Sequence, residues 1–174
     1  SEVEDLVRKV KKLMEDSDRE NKRLVDEVRE RVEEVKKRNK EVVDEVRERV
    51  KRLEEMLRRG DLREEDIKRV EKEIEDLVKE VKDTNKRVAD ELRKLVEEVK
   101  KRNRDVAERI KELVKEIPDK DAAEAIKDLI RKSEKSVDEV RREIERLIKE
   151  SEDSVKRVTD EIRKLLKRLR DTTT

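Results

Sequence analysis

The chain has 174 residues, 59% charged and 31% hydrophobic, with 52 basic residues against 51 acidic ones and a net charge of +1. It contains no Phe, Trp, Tyr, Cys or His, which removes disulfides, thiol and imidazole chemistry and the aromatic platforms on which nucleic-acid bases stack. No apolar run approaches the ~18 residues of a membrane span, and no signal or transit peptide opens the chain, so a soluble protein is expected.

So much charge can signal disorder, but here the signs alternate finely instead of running in blocks. Glu33 with Lys37, Glu34 with Arg38, Glu97 with Lys101 and Glu98 with Arg102 each stand four apart, acid first, the spacing that stabilises a helix surface. Glycine and proline occur once each, at Gly60 in "RRGDLREED" and Pro118 in "KEIPDKDAAE", and they divide the chain into three helical stretches.

The first stretch, about 1 to 59, opens with Ser1 and Glu4 at capping-box spacing. Its inward positions are Asn21, Leu24, Val28, Val32, Val35 and Asn39, with Val25 widening the stripe. Those steps complete five turns at ~3.6 residues per turn, so the stripe does not drift around a straight helix as a heptad would. The letters repeat with the pattern. "NKRLVDEVRERVEEVKKR" from Asn21 and "NKEVVDEVRERVKRLEEM" from Asn39 agree at ten of eighteen positions.

Gly60 suits the left-handed position after a helix, and Asp61 with Glu64 reads as the capping box of the second helix, about 62 to 117. There "NKRVADELRKLVEEVKKRN" from Asn85 echoes helix 1, matching it at fourteen of nineteen positions. After Pro118, Asp121 with Glu124 is the expected cap of the third helix, about 120 to 171. In it "SEKSVDEVRREIERLIKE" from Ser133 recurs as "SEDSVKRVTDEIRKLLKR" from Ser151. The chain starts at Ser1 without Met, which reads as trimming, and "DTTT" at its end reads as frayed padding.

The expected fold is therefore all-α: a single-chain, antiparallel, up-down-up three-helix bundle of long, nearly straight helices forming one domain over 1 to 174. Each helix would be on the order of 80 Å long. The apolar set of each covers one arc of about 100 to 120°, and the asparagines lie inside it. A buried amide without a partner costs a few kcal/mol, so partners must stand at the same height. Facing residues of antiparallel helices have a constant index sum, which brings Asn21 to Asn103 and Asn39 to Asn85. On the third helix it brings Ser133 and Ser136 to Asn103, and Ser151 and Ser154 to Asn85.

Two polar layers follow: Asn21, Asn103, Ser133 and Ser136, then Asn39, Asn85, Ser151 and Ser154, about 27 Å apart at ~1.5 Å per residue. Asn offers donors and acceptors and Ser a rotatable hydroxyl, so each layer can close a hydrogen-bond network. Its contribution is to register, since a one-turn slip would set Asn against Val. Ser17, Thr84 and Thr159 lie near the same faces without assigned partners.

The eighteen-residue copies such as "DEVRERV" at 26 to 32 and 44 to 50, the loops "RRGD" and "IPDKD" and the Glu/Lys/Arg surface make the whole chain resemble de novo designed helical bundles with buried hydrogen-bond networks. The valine-rich core departs from the Leu and Ile often used there. The resemblance implies a stable synthetic scaffold made in a cytoplasmic expression host, sometimes a building block or a cage for an added helix, and it implies no activity. From the residues themselves no nucleophile-base pair, phosphate loop, metal cluster or cofactor motif can be assembled, so no enzyme, cofactor or metal is expected. Bundle metal sites use inward Glu and Glu-x-x-His, whereas here the carboxylates lie outside the stripe. Neither a basic stripe for nucleic acid nor the Trp and Phe of a membrane-surface helix is present. A monomer needing no partner is expected. The alternative is a helix-binding module, a heterodimer or switch component that accepts an engineered helical peptide as a fourth amphipathic helix.

Overall fold

The structure, a computed structural model, describes residues 2–173, so Ser1 and its expected cap lie outside the described residues. Three helices follow in order: α1 (Glu2–Arg59), α2 (Glu64–Lys115) and α3 (Lys120–Thr173). The Glu, Lys, Arg and Leu that fill them are good helix formers, and none of the three contains Gly or Pro. Acids occupy the first turns, among them Glu2, Glu4 and Asp5 in α1 and Glu64, Glu65 and Asp66 in α2, while Arg58, Arg59 and Lys115 sit in last turns, as the helix dipole favours. The helix α3 runs to Thr173, past the expected end near 171, because the Thr172 and Thr173 hydroxyls bond back to the Arg168 and Leu169 carbonyls.

The end of α1 is built on Gly60, whose φ of 75° is left-handed. Its N–H bonds the Leu57 carbonyl at 3.1 Å and that of Asp61 bonds the Met56 carbonyl at 3.0 Å, the paired bonds of a Schellman motif. Leu62 then packs back onto the core. The start of α2 differs from expectation. The helix begins at Glu64, and the carboxylate three residues beyond its cap is Asp66, which accepts from the Arg63 N–H at 3.3 Å. Arg63, not Asp61, is the cap residue, because the Schellman bonds already hold Asp61. A second correction applies to α3: Asp119 is the cap, accepting from the Asp121 N–H at 2.9 Å, and its carbonyl accepts from the Ala123 N–H. Pro118 bars Ile117 from continuing the helix, so α2 closes on tightened bonds from Glu116 to Leu113 and from Ile117 to Val114, and capping starts at the next residue.

The connections at 60–63 and 116–119 turn consecutive helices antiparallel, which makes the fold an all-α, up-down-up three-helix bundle. The parallel course of α1 and α3 shows in ion pairs at one offset of 114 residues: Arg29 with Glu143, Lys36 with Glu150, Arg47 with Glu161 and Glu54 with Arg168.

Two compact units make up the chain, one from Ser1–Glu30 and Glu91–Leu147, the other from Arg31–Asp90 and Ile148–Thr174. Each takes a segment from every helix. The core of the first gathers Val10, Met14, Ile110, Ile126 and Ile130. That of the second gathers residues such as Val46, Val50, Ile74, Ile162 and Leu169. Valine from α1 set against isoleucine and leucine from α2 and α3 fills the narrow space between three helices, and each fully buried Val or Ile contributes roughly 1.5–3 kcal/mol.

Candidate functional site

The inward polar residues were the one place where sequence pointed to something other than packing. In the unit formed by 31–90 and 148–174, Asn39 on α1 is 3% exposed, and Ser151 and Ser154 on α3 are also buried. The Asn39 amide donates to Ser154 Oγ at 3.2 Å, and Ser151 Oγ donates to Asn85 Oδ1 at 2.5 Å. Asn85, on α2, is half-buried. Both asparagines thus reach α3, by way of two serines three residues apart, which share a helix face.

In the unit formed by 1–30 and 91–147 the arrangement is different. Ser133 Oγ donates to Asn103 Oδ1 at 3.2 Å, but Ser136 turns to Asp18, donating to Oδ1 at 3.3 Å. Asn21 is 2% exposed, and its Oδ1 accepts from Arg102 Nη2 at 3.0 Å. Its amide nitrogen is buried and has no hydrogen-bond partner among the described residues. Arg102 also reaches Glu20 at 3.0 Å, so it bridges two residues of α1. The structure therefore brings Asn103 to Ser133 as the index sums expected, and gives Asn21 and Ser136 charged partners, Arg102 and Asp18, in place of the other layer members.

Sequence reasoning missed Asp18 and Arg102 because both read as ordinary members of the solvated face. A usable signal was present: Asp18 stands one turn before Asn21, and Arg102 directly precedes Asn103 at a height facing Asn21. The surface pairs shift for the same reason. Glu33 pairs with Lys36 and Glu97 with Lys100, three apart instead of four, while Arg38 reaches Glu80 of α2 and Arg102 reaches α1. Long side chains at the edge of an interface find carboxylates on the neighbouring helix as readily as on their own. Of the remaining polar residues near the core, Ser17 is buried and Thr84 half-buried, and Thr159 bonds the Val155 carbonyl of its own helix at 2.6 Å.

These positions present neutral amides and hydroxyls, which can match hydrogen bonds but cannot move protons near neutral pH. Among the described residues no group of three or more His, Cys, Asp or Glu is placed to hold a metal ion, and no helix is long and apolar enough to cross a membrane. The electrostatically distinct carboxylates lie elsewhere. Hydrogen bonds from Arg146 and Arg29 hold the Glu143 carboxyl down at about 2, and the Arg168 fork, at 2.8 and 3.0 Å, lowers Glu54.

No protein-family model and no curated protein matches this sequence. Among solved structures the chain is similar to a computationally designed three-helix bundle, with 18% identity and a TM-score of 0.48, the match covering 98% of this chain and 87% of that one.

Proposed function

We propose that this protein is a non-enzymatic structural scaffold of the designed-bundle kind, complete as a monomer, in which the inward Asn and Ser residues fix the register of the helices. The observation that carries this reading is the placement of Asn39, Ser151 and Ser154: they occupy core positions, yet their hydrogen bonds run between helices, with Asn39 joined to Ser154 and Ser151 to Asn85. Residues chosen for stability alone would be apolar there. Residues chosen for catalysis would have a titratable or nucleophilic partner. Polar side chains matched only to each other discriminate between alignments of otherwise similar apolar stripes.

Surface coverage supports the monomer. Leu57, at 36%, is the one exposed large hydrophobe among the described residues, whereas a docking face for a fourth helix needs a row of apolar anchors over several turns. The deciding experiment is the mass in solution by light scattering, alone and with amphipathic helical peptides. One chain per particle, unchanged by the peptides, is expected. A stable dimer, or a saturable complex with a helical peptide, would replace this reading with that of a helix acceptor.

A further inference from the structure

The two polar layers differ in the residues that flank their asparagines. In the eighteen-residue repeat of α1, the positions before Asn39 hold Val35 and Lys36, whereas the equivalent positions before Asn21 hold Ser17 and Asp18. On α2, Arg102 stands beside Asn103 where Thr84 stands beside Asn85. These exchanges redirect the hydrogen bonds. Asp18 takes the Ser136 hydroxyl at 3.3 Å, so Asn21 loses the serine equivalent to Ser154, which serves Asn39. Arg102 can only donate, so it draws the Asn21 amide oxygen to itself at 3.0 Å and leaves Nδ2 turned away, buried and without an acceptor. Ser17 is 8% exposed, has no hydrogen bond among the described residues and lies one turn before Asn21 on the same helix face. Two buried polar groups are thus orphaned at one height, opposite Asn103, whose Oδ1 accepts from Ser133 alone.

We propose that this layer binds one internal water molecule, which accepts from Asn21 Nδ2 and donates to Ser17 Oγ and to the second lone pair of Asn103 Oδ1. Three hydrogen bonds are the usual number for a buried water, and buried polar groups in folded proteins nearly always have a partner. A neutral ligand fits better than an ion. The charged groups that touch the layer are one cation, Arg102, and two carboxylates, Glu20 and Asp18, so an anion taking the Asn21 donor would meet net negative charge. A cation would face the amide hydrogens. In the other layer Val35 occupies the place of Ser17 and the Asn39 amide already has Ser154, so no water is bound at that position. The water joins α1 to α2 where Asn21 and Asn103 do not bond directly. Its binding does not depend on the register role, because it follows from the hydrogen-bonding capacity of these side chains alone.

The test is a crystal structure of the whole protein at a resolution that shows ordered solvent, with a second data set from crystals in which bromide replaces chloride. A density peak within hydrogen-bond distance of Asn21 Nδ2, Ser17 Oγ and Asn103 Oδ1, without anomalous bromide signal, is expected. Ser17→Val, which copies Val35 of the other layer, should expel the peak, whereas Ser154→Ala should leave it in place. In solution the Asn21 side-chain amide protons should show a direct cross-peak to long-lived water in the parent and lose it in Ser17→Val. Circular dichroism melts establish that each variant is folded. Absence of the peak, an Asn21 amide that donates to a protein acceptor instead, bromide at the site, or a peak indifferent to Ser17→Val would each overturn the proposal.

Discussion

Glu143 shows how a residue on the bundle's flank becomes distinct. Arg29 of α1 donates to it at 3.0 Å and Arg146 of its own helix at 2.6 Å, so its carboxyl titrates at about 2 instead of the ordinary 4.5. A folded-state pKa below the unfolded one adds stability above about pH 4.5, and that stability is lost as pH falls toward 2. Glu54, lowered by Arg168, acts in the same direction. Urea midpoints should therefore decline between pH 4.5 and 2, and Glu143→Gln should flatten that decline; an unchanged slope would show that the pairing does not form in solution. A second residue-scale contrast lies in the core. Asn21 carries a buried amide nitrogen without a partner, whereas the Asn39 amide donates to Ser154. Asn39→Leu strips a buried serine of its donor, while Asn21→Leu removes an amide nitrogen already without a protein partner and an oxygen whose donor, the solvent-accessible Arg102, keeps Glu20. Since both changes gain the same helix propensity and a similar apolar side chain, their difference compares the loss of a bond to a buried serine with the loss of one to an arginine that water and Glu20 still satisfy. Asn21→Leu should come out the more stable by about 1–3 kcal/mol in chemical denaturation.

At the scale of the helices, the ends carry the most specific local chemistry. Gly60 has open space around the position of a Cβ, so Gly60→Ala meets no clash and its cost is that of the left-handed backbone alone, about 1–2 kcal/mol. A lower urea midpoint with unchanged helical content is the expected readout, and Gly60→Asn should lose less, since Asn tolerates this conformation. The existence and direction of the three helices were legible because one Gly and one Pro interrupt an otherwise uniform helical composition. Their starts were less so. "GDLREED" offers several acids at or near capping-box spacing, and only the Schellman closure at Asp61 decides that Arg63 and Asp66 make the contact. After Pro118 the same ambiguity hid Asp119 behind Asp121. Index sums sufficed to set Asn103 opposite Ser133 and Asn85 opposite Ser151, because helices hold a fixed rise. They could not find Asp18 or Arg102, whose reach depends on side-chain length and rotamer, not on backbone height.

For the whole chain the question is what makes one alignment of three self-similar helices better than its neighbours. Valine stripes cannot decide it, since they repeat along each helix. The short turns forbid a slip of eighteen residues, and two of the four ion pairs along the α1 and α3 seam weigh against it, while Arg29 with Glu143 and Arg47 with Glu161 would survive it. Lys36 faces Glu150 and Glu54 faces Arg168, so that slip would set Glu54 against Glu150 or Lys36 against Arg168. A slip of one turn is the competitor that remains. Exposed ion pairs, worth about 0.2–1 kcal/mol each, resist it weakly, while burying an amide or hydroxyl against valine costs about 1–3 kcal/mol per orphaned group. Replacing Asn39, Asn85, Ser151 and Ser154 together with well-packed hydrophobes removes that penalty from every alignment at once. The fourfold variant should therefore be as stable as the parent or more so, yet should show doubled amide resonances around those positions as neighbouring registers become populated. Asn39→Leu alone should lose stability beside it. If the single change stabilised as much as the fourfold one, or if the fourfold variant kept a single sharp set of resonances, the four side chains would not be acting together to hold the register.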